Sequence, residues 1–253
     1  MKSITGYIDV AQVCLYLFWI FFAGLILYLR REDRREGYPL FSEPSNTYKD
    51  AGFLWIPPPK VFKLAHGGTS MSPSGRPDDR AINAAKVAVW PGAPLEPIGD
   101  PMLAAVGPGS YAERADVTDK TVEGEAKIVP MRVTSSYAID TNDRDPRGFD
   151  VMGADRKVAG TVKDIWVDRS ETIIRYLEVT TNGGRSVLLP MTFASINRNR
   201  LEVKVHAILA DQFANVPGLA NPDQVTLLEE DKICAYYGGG MLYATAARQE
   251  PLL

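Results

Sequence analysis

Hydrophobic positions are spread unevenly along the chain. No residue between Asp9 and Arg30 is charged, and Val10 to Leu29 form a 20-residue uncharged, mostly apolar run. At about 1.5 Å per residue the run spans roughly 30 Å, the hydrocarbon thickness of a bilayer. It predicts one transmembrane α-helix over residues 10–29, preceded by a short segment, 1–9. The run meets Arg30-Arg31-Glu32-Asp33-Arg34-Arg35 directly, without a small-residue cleavage site, so it reads as a retained span rather than a signal peptide. Only Lys2 precedes it, and four arginines follow within six residues. The positive-inside rule then predicts a single-pass topology, with a periplasmic N-terminus and a cytoplasmic remainder. Arg30, Arg31, Arg34 and Arg35 are expected as interfacial anchors or contacts for lipid head groups, although Glu32, Asp33 and Glu36 dilute their charge.

Residues 30–108 form a membrane-exit and proline-rich segment. The 70 residues from Pro39 to Pro108 hold 12 of the 18 prolines, so regular structure should be scarce. Yet Phe53-Leu54-Trp55-Ile56, Val61-Phe62 and Leu64 are too apolar for an ordinary disordered linker. An extended chain that buries these side chains on a partner surface reconciles the two features.

Beyond Pro108 the pattern becomes alternating and β-branched. Lys127–Val133, Val158–Val167, Thr172–Val179, Ser186–Pro190 and Leu201–Val205 read as short strands bounded by turn signals. They predict a mainly-β cytoplasmic domain over 109–253, a small antiparallel barrel. Ile208–Val216 predicts a short helix. A C-terminal helix is expected from an Asn221 cap with Pro222 in its first turn, ending at Gly238-Gly239-Gly240.

Composition narrows the chemistry. A net charge of -3 disfavours nucleic acid as a partner. Cys14 and Cys234 stand far apart without CxxC or Cys/His company, and His66 and His206 are the only histidines. Disulfide frameworks, zinc sites and ligand sets of several imidazoles are therefore excluded. No Walker loop, GxGxxG, GxSxG or HExxH occurs, so no enzyme activity is expected. Carboxylates are the remaining candidates. Read as strand, turn, strand, Lys163 to Glu171 places Asp168 and Glu171 across a two-residue loop, close enough to couple as a proton-carrying pair. The plainer alternative is a solvated hairpin tip balanced by Arg169. Asp119, Glu123 and Glu125 form a second acidic group.

Several tracts then acquire meaning together. Tyr28 to Leu40, Gly99-Asp100-Pro101, Val106-Gly107-Pro108, Ala126 to Pro130, Asp164 to Asp168, Thr226 to Lys232 and Gly239 to Ala244 occur in an order and spacing that resemble the H subunit of the purple bacterial photosynthetic reaction centre. The β-rich part is similar to the PRC-barrel family. The resemblance implies a structural subunit in the inner or intracytoplasmic photosynthetic membrane, without cofactors of its own. Bacteriochlorophyll, bacteriopheophytin, quinones and non-haem iron would reside in partner subunits. L and M subunits are the implied partners, with membrane lipids around the span and room for a cytochrome subunit and light-harvesting antenna in the same complex.

By position, the resemblance makes Asp168 and Glu171 acids on a proton route to the secondary quinone, with Arg175 tuning them. Glu123 and Glu125 stand where one branch of the family has two surface histidines, so proton entry here falls to carboxylates and inhibition through a bis-histidine metal site should be lost. The rival reading is a membrane-tethered PRC-barrel adaptor for RNA-processing or other cytoplasmic partners. It would want a basic face, but the residues after Glu36 carry 23 basic and 27 acidic side chains.

Overall fold

A computed structural model describes residues 3–5, 8–49, 52–76 and 78–249. The chain divides into two units, Met1–Pro77 and Asp78–Leu253.

In the first unit, β1 (Ser3–Thr5) and β2 (Ile8–Asp9) pair antiparallel ahead of helix α1 (Val10–Glu32). The Asp9 carboxylate accepts the Gln12 amide hydrogen at 2.8 Å and caps the helix, while Arg30 and Arg31 lie in its last turn, where the dipole favours cations. None of its side chains is buried, and it is the one helix among the described residues long and apolar enough to cross a membrane. The helix continues three residues past the apolar run because the backbone ladder does not stop where the hydrocarbon would.

The arginines after the apolar run are engaged within the protein. Arg34 donates to the Leu54 carbonyl and Arg35 to the Pro58 carbonyl. Arg31 lies over the Trp55 ring at 5.0 Å. Glu32 receives Arg35 at 2.8 Å and Lys60 at 3.1 Å. Only Arg30, 3.7 Å from Asp33, keeps the exposed character of an interfacial anchor.

The proline-rich segment is more regular than its composition suggests. It holds three two-stranded hairpins: β3 (Phe41–Ser42) with β4 (Thr47–Tyr48), β5 (Lys60–Lys63) with β6 (Thr69–Ser72), and, in the second unit, β7 (Ala84–Lys86) with β8 (Leu95–Pro97). Pairs this short leave the prolines at ends and turns, where no ladder donor is needed. Phe53 and Trp55 in the first unit, and Val89 and Trp90 in the second, remain exposed.

The second unit is built on β9 (Ile128–Pro130), β10 (Asp150–Met152), β11 (Val158–Asp168), β12 (Ile173–Thr181), β13 (Ser186–Pro190), β14 (Ala194–Asn197) and β15 (Glu202–Val205). Their order is β13-β12-β11-β10-β15-β14, with β9 also paired to β11. β10 and β15 run parallel, a departure from the all-antiparallel expectation. β10 and β14 add two strands to those expected from the alternating runs. The turn between β11 and β12 has four residues, 169–172, not two, because Asp168 pairs with Ile173.

Helix α2 (Leu227–Tyr243) covers the sheet. It starts later than expected. Thr226 and Glu229 form a reciprocal capping box, whereas the Asn221 side-chain Oδ1 accepts the Asp223 amide. The expected helix over 208–216 is a 3-10 run, Asp211–Asn215, because Gln212 and Asp155 side chains take the Leu209 and Ala210 amides.

The glycine run does not end α2; it lies inside it. A Cβ on Gly239 would stand 3.0 Å from the Gly109 Cα, and one on Gly240 would stand 2.6 Å from the Ala207 carbonyl oxygen. Close approach, not helix termination, is the reason for these residues. Ile233, Tyr236 and Tyr237 project from the same helix into the core, where Tyr237 stacks on Phe193 with centroids 5.7 Å apart. Gly240→Ala is expected to cost about 1–3 kcal/mol through overpacking, measured by denaturant unfolding of the detergent-solubilised chain.

Candidate functional site

Strand pairing brings the two acidic groups together. β9 runs antiparallel to the end of β11, with Ile128 opposite Asp168, so the chain just before β9 lies beside the β11–β12 turn. There Lys120 bridges Ala126, and Gly124 takes φ +88°, which lets Glu123 and Glu125 flank a tight reversal. The Lys127 amide donates to the Asp119 carbonyl at 2.8 Å, and the Arg169 amide to the Lys127 carbonyl at 2.9 Å.

Two cations join the acids. Lys127 Nζ stands 3.5 Å from Asp168 Oδ2, 3.8 Å from Asp119 Oδ2 and 3.9 Å from Glu171 Oε1. Arg169 Nη1 meets Glu125 Oε2 at 2.6 Å and donates through Nε and Nη2 to the Ala126 carbonyl. Asp168 is 1% exposed, against 57% for the Glu171 side chain and 64% for that of Glu125. A buried carboxylate needs compensation. Asp168 Oδ1 accepts the Ser170 and Glu171 amides at 2.9 and 3.1 Å, and Oδ2 faces Lys127. Asp168 and Glu171 are therefore linked through a lysine and a backbone amide. Glu123 is fully exposed, and its own backbone N–H holds its carboxyl below the usual range.

Arg175 belongs to a different neighbourhood. It is exposed on β12, and its charge acts on Glu230 of α2. Glu230 is buried and accepts the Tyr176 hydroxyl at 2.7 Å. Burial pushes its carboxyl upward, against the opposing pull of Tyr176, Arg175 and Arg114.

A third group was missed from sequence. Arg132 Nη1 donates to Asp164 Oδ2 at 3.1 Å and to Glu178, while Nε reaches Asp223 at 3.0 Å. Lys163 binds Glu178 from the other side at 2.7 Å. Asp164 and Glu178 face each other across β11 and β12, and pairing those strands by register would have put the two acids together. Among the described residues, no three His, Cys, Asp or Glu side chains are grouped to hold a metal ion.

Two family models match the chain. The photosynthetic reaction centre H-chain N-terminal region matches residues 2–133, and the PRC-barrel domain matches residues 140–209. Asp119, Glu123, Glu125 and Lys127 fall in the first match, and Asp168, Glu171 and Arg175 in the second. With an N-terminal apolar helix, a β domain and a C-terminal helix in the order such a subunit requires, the chain belongs to the photosynthetic reaction-centre H-chain family.

Proposed function

We propose that this chain is a non-enzymatic subunit that caps the L and M subunits on the cytoplasmic side, steadies their quinone sites and delivers protons toward the secondary quinone. Bacteriochlorophyll, bacteriopheophytin, quinones and non-haem iron belong in this reading to the partners, which perform the redox chemistry. The exposed apolar side chains of the proline-rich segment supply a docking surface, and the arginines after α1 favour a cytoplasmic second unit.

The observation that carries the proton-delivery reading is the convergence of exposed acids on a buried one. Asp119, Glu123, Glu125 and Glu171 face solvent, and Lys127 connects two of them to Asp168. Exposed carboxylates raise the local proton concentration, and cations among them limit their mutual repulsion. Asp168 then stands as the inward acceptor, held by two amides.

Glu171→Gln is expected to slow proton-coupled transfer of the second electron to the secondary quinone on the order of tenfold, less than the roughly hundredfold expected of a sole donor. The first electron transfer should be nearly unchanged. Flash kinetics of the purified complex measure both steps. The double substitution Glu123→Gln, Glu125→Gln should act more mildly, because several surface acids share entry. A second step at the wild-type rate in Glu171→Gln would remove Glu171 from the route.

A further inference from the structure

Glu230 is a buried carboxyl outside both the surface cluster and the Arg132 group. It lies in the first turns of α2, and Tyr176 on β12 donates its hydroxyl hydrogen to Oε2 at 2.7 Å. One short stretch of chain runs from the N-cap of the same helix to the surface acids. The Thr226 hydroxyl donates to Asp116, the Leu227 amide donates to the Val117 carbonyl at 3.0 Å, and Thr118 bridges Thr226. The next residue is Asp119, 3.8 Å from Lys127. The segment 116–119 thus begins along the start of α2 and ends in the cluster.

We propose that Glu230 is a second proton-holding carboxyl of the subunit, loaded from the surface cluster by way of Asp119 and held in position by Tyr176. This inference rests on the proton-delivery reading and extends it. Loading makes one O–H bond on the carboxylate with a proton drawn from water through the acids; unloading breaks that bond, re-forms the carboxylate and passes the proton on toward the secondary quinone held by the partners.

The groups facing Glu230 set its proton affinity. Tyr176 and Arg175 approach from β12, Arg114 and Asp119 from the segment before β9, and Asp231 and Cys234 share its helix. Burial favours the protonated form, and the charge of Asp119 adds to it; Tyr176, Arg175 and Arg114 oppose it, and the balance lies on the protonated side of an ordinary carboxyl. Burial pushes the Tyr176 phenol far upward, so Tyr176 keeps its proton and acts as a positioning residue.

The test uses the purified complex containing this chain. Infrared difference spectra across a pH titration are compared for wild type, Glu230→Gln and Tyr176→Phe, alongside the rate of the second electron transfer. The expected result is a titrating protonated-carboxyl band that disappears in Glu230→Gln and is displaced, not lost, in Tyr176→Phe. The second transfer should slow severalfold in Glu230→Gln. A band that persists in Glu230→Gln overturns the assignment. An unchanged rate in Glu230→Gln beside a slowed one in Glu171→Gln overturns the inference and leaves the delivery reading standing. Unchanged rates in both overturn the two together. If Glu230→Gln fails to assemble, a band unmoved in Tyr176→Phe overturns it instead.

Discussion

Arg132→Met is expected to destabilise the folded chain by about 3 kcal/mol at neutral pH, near the lower end of the cost of breaking a buried ion pair. The guanidinium bonds Asp164, Glu178, Asp223 and the Pro222 carbonyl, and it lies 6.0 Å over the Trp166 ring. Methionine fills part of the volume and supplies no donor. Asp164 and Glu178, both buried, would then face each other across the strands without their shared cation. Residual bonds keep the loss from being larger: Lys163 and Trp166 still serve Glu178, and the Ile165 amide still serves Asp164.

The pH dependence identifies the cause. Burial pushes the Glu178 carboxyl up, but hydrogen bonds from Lys163, Arg132 and Trp166 outweigh it and hold the carboxyl below its ordinary value. A depressed carboxyl contributes stability above its unfolded pKa and loses it as pH falls through the folded one. The gap between wild type and Arg132→Met should therefore be full at pH 7 and narrow below about pH 4. Denaturant unfolding at the two pH values measures it. An equal gap at both would assign the loss to packing against Trp166.

Local pattern made much of this fold legible. The apolar run and the alternation in β11, β12, β13 and β15 followed from periodicity, and the C-terminal helix from periodicity with cap signals. What failed were features decided by partners distant in the chain. Gly238, Gly239 and Gly240 look like a terminator until Pro108, Gly109 and Ala207 are brought against them. The start of α2 is an exception, since the Thr226–Glu229 box that displaces Asn221-Pro222 is a local T-x-x-E spacing open to reading in the sequence. The same holds for the site. Every acid in the surface cluster was visible, since carboxylates announce themselves by type. Arg169 was visible beside them, but Lys127 was not, because it is separated from Asp168 by 41 positions and the β9–β11 pairing brings them within 3.5 Å. Arg175 is a related case: its charge acts on Glu230, 55 residues later, a pairing that no local spacing reveals. Electrostatic roles depend on pairing geometry, which residue type does not encode.

Lys127→Met should have the largest combined effect on stability and delivery. The substitution keeps an apolar stem of similar length and removes only the charge. Asp168 would retain the Ser170 and Glu171 amides but lose the Lys127 cation facing it, which is expected to cost about 2 kcal/mol, less than for a fully buried pair since Lys127 is partly exposed. Asp119, Asp168 and Glu171 would then form an uncompensated group of like charges. Their mutual repulsion disturbs the passage of protons from the surface acids to Asp168, so the second electron transfer should slow. Lys127→Arg retains the charge and should recover most of both effects. The paired readout separates two roles for the cluster. If Lys127→Met unfolds more easily while the second electron transfer keeps its wild-type rate, Lys127 only holds the β11–β12 turn to the chain before β9, and protons enter elsewhere. If both change and both return with arginine, the charge at this position governs the passage of protons from the surface acids to Asp168.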